Sequence, residues 1–316
     1  MSKRTMTKTR PAEGQCNPRQ PCPCGSGKRY KACHGDAGHV EDATVRRPFA
    51  GLAAECQLVA MREFVPSATA RLPLVESDGR EVTLATLLPT AAAAMVRPDG
   101  AALVGLQVLN RSADLSRDLG RAVTWALTAE PGEALALYST AAEGPQIRLQ
   151  DLLKPEAPLE VTTYPGFAWW APGEEPPPEH VALSMERANA AIMPTEPVVG
   201  DGVEAAYWVD AGGKAHLRWV RSEPEDRLHA ALARLAARDE LDLGDGSRYA
   251  GSFRAHGVLV PVWDLDRERH SREWIAPAEA FAPRLAHALA SLNTTPLTPH
   301  ERRALHGLHS RQITLC

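Results

Sequence analysis

Cys22-Pro-Cys24 is followed, after eight intervening residues, by the adjacent pair Cys33-His34. Three sulfurs and one imidazole suit zinc, which takes four such ligands in a tetrahedron, thiolates at ~2.3 Å and imidazole at ~2.0–2.1 Å. Between them Gly25-Ser26-Gly27 can turn sharply and leave backbone N–H groups free to point at thiolate sulfur. Four protein ligands close the coordination sphere, so the expected metal is structural rather than catalytic. A segment this short has no core of its own. Metal binding, with an apparent magnitude of ~10–16 kcal/mol in small zinc peptides, would supply its folding energy. The expectation is one Zn2+ per chain, held by Cys22, Cys24, Cys33 and His34. Lys28, Arg29, Tyr30 and Lys31 would then form a basic surface for a partner.

Four of the six cysteines lie in the first 33 residues, and the charge is as uneven. Residues 1–47 hold ten basic and four acidic side chains, against 35 and 39 in the 316-residue chain. A net charge of −4 therefore separates into a stretch near +6 and a body near −10. Six cysteines are too sparse for a disulfide scaffold, and no apolar segment follows the basic start as in an export signal. Reduced thiols in the cytoplasm are the expectation. No apolar run reaches the ~18 residues of a membrane helix; Leu84 to Val96 is the longest candidate, and Pro89 breaks it.

The segment CPCGSGKRYKACHG is similar to the SEC-C motif, a zinc module found at the C-terminus of the SecA translocation ATPase and in many otherwise unrelated bacterial proteins. The likeness implies zinc on Cys22, Cys24, Cys33 and His34. It places Gly25, Ser26, Gly27, Lys28, Tyr30 and Lys31 in the family's turn and basic surface. Export chaperones and ribosome contact are the partners it implies. The body lacks a G-x-x-x-x-G-K-[ST] phosphate loop, so a SecA-type ATPase is excluded. Residues 48–316 resemble an actinobacterial family of unknown function through GLAAECQLVAMREFVPSATA, LSMERANAAIMPT, GSFRAHGVLVPVWDL and the ending SRQITLC.

The body's own candidates are weaker. Arg254 and His256 flank a strand-like run ending at Asp264, which suggests a catalytic Arg/His/Asp set if a pocket gathers them. His306 and His309, with His300 nearby, can share a helix face, but with no third ligand in view a solvated face is the preferred reading. Cys56 reads as a buried thiol, and Cys16 as an unstructured one or a spare ligand. Trp169-Trp170 beside Phe167 read as core.

An α+β body must position these groups. Residues 1–20 read as a disordered basic arm, 21–36 as the knuckle, 37–48 as a linker and 49–316 as the body. Four amphipathic helices are expected. The first carries Leu119, Val123, Ala126 and Leu127 behind a Ser116 cap. The second carries Leu228, Leu232 and Leu235 behind a Ser222/Glu225 capping box. The third carries Phe281, Leu285, Leu289 and Leu292, with Pro283 near its start; the fourth opens at Thr298-Pro299 with Glu301. Strands are expected at Leu103–Val108, at His216–Trp219 behind Gly212-Gly213, and at Gly257–Trp263, where Pro261 argues for an edge or a bulge. The stretches from Ala93 and Ala205 echo each other as hairpin-plus-helix units. That suggests duplicated halves at 49–165 and 180–316, joined by the Pro/Glu-rich Pro172–His180.

Three functions follow as expectations. The chain is an adaptor that binds an acidic protein or a ribosome-associated partner through the knuckle. Alternatively it is an enzyme with its chemistry in 49–316, or a nucleic-acid-binding module using the basic arm, with affinity for RNA or DNA that falls steeply in salt.

Overall fold

The computed structural model describes residues 45–77, 79–108, 112–135, 147–173 and 176–310. The chain divides into two units, Met1–Thr44 and a compact Val45–Cys316. The compact unit thus begins inside the stretch read as linker.

Helix α1 (Glu55–Glu63) is followed by strands β1 (Ala68–Arg71), β2 (Val82–Ala85), β3 (Ala94–Val96) and β4 (Ala102–Gly105). Helix α2 (Leu115–Thr128), β5 (Ala134–Leu135), the short α3 (Leu149–Leu152) and β6 (Val161–Thr163) complete the first half. These strands form a sheet in the order β5-β3-β4-β2-β1-β6, antiparallel except for β2 beside β4. After α4 (Glu179–Ala190) come β7 (Thr195–Gly200), β8 (Val203–Asp210), β9 (Ala215–Trp219), α5 (Glu225–Ala236), β10 (Ser247–Ala255), β11 (Val258–Leu265), α6 (Ile275–Ser291) and α7 (Pro299–His309). The second sheet, β10-β11-β9-β8-β7, is wholly antiparallel.

The two faces of the second sheet join different cores, and the alternation along β8 is interrupted at Ala205, whose φ is 50°. Ala205 and Tyr207 of β8 join the first sheet, α1 and α2 in one core; Val203 and Ala206 join α5, α6 and α7 in the other. Helix α1 lies in the first core, with Leu58, Val59, Ala60 and Met61 each fully buried. In the second core the ring of Trp263 packs edge-on against Phe281 at 5.3 Å, and its indole N–H donates to the Leu241 carbonyl at 2.9 Å.

Several expectations need correction. Asp114, not Ser116, caps α2, because its carboxylate accepts from the Ser116 and Arg117 backbone N–H groups. The Ser116 hydroxyl instead serves α3, accepting from Leu149 N–H at 3.0 Å. Helix α5 has Pro224 at its cap and no side-chain cap; Glu225 is drawn to Arg254, so the Ser222/Glu225 box does not form. Helix α6 begins at Ile275, which puts Pro283 in its interior. Pro283 is solvent-exposed there, so water can serve the carbonyl it leaves free while Phe281 and Leu285 stay buried. Strand β11 is internal, not an edge. Pro261 pairs with Ser252 of β10 and sits where the β9 ladder is open, between Val262↔Arg218 and the isolated bridge Arg221↔Leu259. The nearby bulge belongs to β10, between Tyr249 and Gly251. Thr298 and Glu301 do form the expected capping box of α7.

Both hairpin-plus-helix units exist, as β3–β4–α2 and β8–β9–α5. Their neighbours differ: β4 lies beside parallel β2, whereas β9 lies beside antiparallel β11.

The hairpin joining β10 to β11 turns through His256 and Gly257, both with positive φ (45° and 80°), as a tight two-residue turn requires. A Cβ on Gly257 would lie 2.6 Å from the Arg46 carbonyl oxygen. Gly257→Ala is therefore expected to lose about 1–3 kcal/mol through left-handed backbone and collision. Urea unfolding checks this: a lower midpoint with an unchanged slope is expected, and an unchanged midpoint would contradict the tight packing of Arg46 on this turn.

Candidate functional site

Cys22, Cys24, Cys33 and His34, the basic set Lys28, Arg29, Tyr30 and Lys31, and Cys16 lie outside the described residues. Among the described residues, no three or more His, Cys, Asp or Glu side chains gather as a metal site. His300 and His306 are exposed on α7, and His309 meets the ring of His229 at 4.9 Å.

The Arg254/His256/Asp264 set does not converge. Arg254 and His256 lie at the turn end of the β10–β11 hairpin, with Arg254 opposite Leu259, while Asp264 is opposite Arg248 at the far end. Arg254 pairs with Glu225 (2.7 Å), His256 with Glu63 (2.7 Å) and Asp264 with Lys214 (2.8 Å). Each group has its own polar partner. Burial pushes the Asp264 carboxyl upward, but hydrogen bonds from Lys214 and Arg248 outweigh it and hold it below the ordinary carboxylate value.

The fold gathers a different set on α5 and β10. His229 Nε2 lies 3.2 Å from Ser252 Oγ, and its Nδ1 lies 3.8 Å from a Glu225 oxygen. The order Ser–His–Glu is that of a nucleophile relay. Ser252 and His229 are each only 3% exposed, however, and Glu225 is committed to Arg254, so the cluster is a hydrogen-bonded part of the core. Its signal in the sequence was the four-residue spacing of Glu225 and His229 beside the Leu228 stripe.

Burial, reinforced by the nearby His309, holds the His229 imidazole below its ordinary value. The unfolded chain therefore takes up a proton near pH 6.5 that the folded chain refuses. Stability is present above pH 6.5 and is lost as pH falls toward the depressed folded value. The melting temperature is expected to fall between pH 7.5 and 5.5, and to fall less in His229→Gln, which keeps a partner for Ser252. Equal slopes in the two proteins would contradict this. His216, also lowered by burial, accounts for a remaining slope.

A groove of about 920 Å3 lies where β6 and β7, the edge strands of the two sheets, approach each other. Tyr164, Pro165, Pro197 and Ile275 provide its apolar walls, and Glu196, His270, Ser271 and Arg272 its polar ones. The Ser271 hydroxyl donates to Glu196 and lies 3.0 Å from His270 Nδ1, a nitrogen that already accepts the Arg272 backbone N–H. With Ser271 only 2% exposed, this network ties the turn Ser271–Trp274 to β7 rather than activating a nucleophile. His270 stacks on Trp208 at 6.4 Å.

Cys56 is half-buried against the first core, and burial, reinforced by Glu55, pushes its thiol up to about 11. It is a protonated packing group at neutral pH. Phe167 and Trp170 are core, with rings 4.6 Å apart, and half-buried Trp169 donates to Ser67 Oγ at 2.9 Å. Among the described residues, no helix is long and apolar enough to cross a membrane.

A SEC-C motif matches residues 19–36, and a family of unknown function, DUF5926, matches residues 48–316. No curated protein and no solved structure matches the chain.

Proposed function

Because the chain belongs to the DUF5926 family through residues 48–316 and carries a SEC-C motif ahead of them, we propose that it is a zinc-knuckle adaptor. The knuckle docks the body on a translation- or export-associated partner in the cytoplasm. The SEC-C match at residues 19–36 is the observation that carries this reading. The donor set fits zinc: three thiolates and one imidazole, from Cys22, Cys24, Cys33 and His34, fill a tetrahedron and leave no ligand position open. Bound zinc supplies no reaction here; it supplies cross-linking that a segment without a core needs. Lys28, Arg29 and Lys31 then offer cations, and Tyr30 a ring, to an acidic face of the partner.

The excess of about six positive charges in residues 1–47 supports a second reading, direct contact with RNA phosphates. The body's excess of acid works against RNA binding elsewhere on the chain. Ribosome sedimentation of the full chain tests both. Specific docking predicts pelleting that persists at 200 mM salt and is lost in Lys28→Glu/Arg29→Glu/Lys31→Glu. Pelleting lost in salt, with equal affinity for generic RNA, would favour the phosphate reading. A wild-type chain that stays in the supernatant at low salt contradicts ribosome docking in either form.

A further inference from the structure

Among the described helices, α4 alone buries no residue. One side of it is half-buried. Val181, Met185 and Ala188 recur there at helical spacing, and the helix rests on the short turn Pro89–Ala91, where the Ser184 hydroxyl accepts the Thr90 N–H at 3.1 Å. Asn189 fixes the C-terminal end by accepting the Phe167 N–H at 2.9 Å. The other side is open. Leu183 stands at its centre, 47% exposed, one of four large apolar side chains left exposed among the described residues. Met193, just past the helix, and Val199 on β7 are two of the others.

The charges around Leu183 are sorted by side. At 3.6 residues per turn, Glu179 and Glu186 fall on one flank of it, and His180 and Arg187 on the other. All four are exposed, and among the described residues no hydrogen bond or ion pair engages them. A helix that neutralises itself places acid and base at i,i+4, and none of these four is so placed. A second α4 laid alongside in the same direction, about a two-fold axis parallel to both helices, completes the pairing. Glu186 then faces the partner's Arg187, Glu179 faces the partner's His180, and Leu183 meets its own copy. An antiparallel approach would set acid against acid and base against base.

We propose that the outer face of α4 is an interaction surface for a second copy of this chain, with the two helices meeting in parallel about Leu183. One face of so short a helix is smaller than the ~800 Å2 per partner of a standard stable interface, so the association is weak and concentration-dependent. It does not rest on the knuckle. Each dimer would nonetheless carry two SEC-C segments, and a partner with paired sites would be held by avidity.

Sedimentation velocity of the full chain across the micromolar range tests this. The wild type should pass reversibly from monomer to dimer. Leu183→Gln should weaken the association by about tenfold or more. So should Glu179→Lys/Glu186→Lys, in which both flanks are basic, and His180→Glu/Arg187→Glu, in which both are acidic. Mixing these two charge variants should restore a dimer containing one of each, because opposite flanks meet again. All these side chains are exposed, so the variants should melt as the wild type does. If a double variant does not fold, Glu186→Lys and Arg187→Glu take its place in the same mixing experiment. A wild type that stays monomeric would overturn the proposal. So would association undiminished in Leu183→Gln or in either charge variant, or a mixture that fails to recover the dimer.

Discussion

Arg234→Ala is expected to destabilise the body by about 3–5 kcal/mol, the usual cost of breaking a buried ion pair from one side. Arg234 and Glu301 are 2% and 6% exposed and join α5 to α7. The guanidinium donates at 3.0 Å to Glu301, at 2.5 Å to Ser291 Oγ and at 2.9 Å to the Thr295 carbonyl. Removing it strands a carboxylate and two further acceptors. At roughly 2 °C per kcal/mol for a body of this size, the melting temperature should fall by roughly 6–10 °C. The double variant Arg234→Met/Glu301→Met should recover part of this, since it leaves no charge behind. It still loses the capping box that Glu301 forms with Thr298. Burial pushes the Glu301 carboxyl upward, but the Thr298 N–H and Arg234 outweigh it and hold it below its ordinary value. Its contribution is therefore present above pH 4.5 and lost as pH falls through the lower folded value. A loss below 1 kcal/mol for Arg234→Ala in urea unfolding would contradict the role assigned to the pair.

Replacing Cys22 and Cys24 together by Ser is expected to abolish the knuckle. Half the ligands go, and apparent metal binding of about 10–16 kcal/mol goes with them. A hydroxyl is a poor substitute because zinc prefers the deprotonated thiolate. Ribosome pelleting, if it depends on the folded knuckle, should disappear in this variant although no basic side chain has been removed. Undiminished pelleting of a zinc-free variant would shift the activity to the charge of the arm alone.

The SEC-C motif was legible because its cysteines and histidine are close in sequence, as C-x-C and C-H, before any tertiary structure is considered. The body was legible where burial is one-sided, and at the apolar or alternating runs of β4, β9 and β11. Helices α2, α5, α6 and α7 carry apolar stripes, and each was found, with errors at the caps that neighbouring charges decide. Helix α1 carries no such stripe, because Leu58 through Met61 are buried on every side. Helix α4 buries no residue at all. Short strands such as β1 and β6, and the parallel pairing of β2 with β4, depend on long-range contacts that spacing does not encode. The same limit misplaced the Arg254/His256/Asp264 set. Ten residues along a hairpin carry the chain away from its turn as well as toward it, and Asp264 ends opposite Arg248.

The most direct test of a metal-folded knuckle on this body is the zinc content of the intact chain, purified with reductant and measured by native mass spectrometry. One zinc per chain, falling to none in Cys22→Ser/Cys24→Ser, is the predicted result. A folded wild-type chain carrying no zinc or two, or a double variant that keeps its metal, would contradict it.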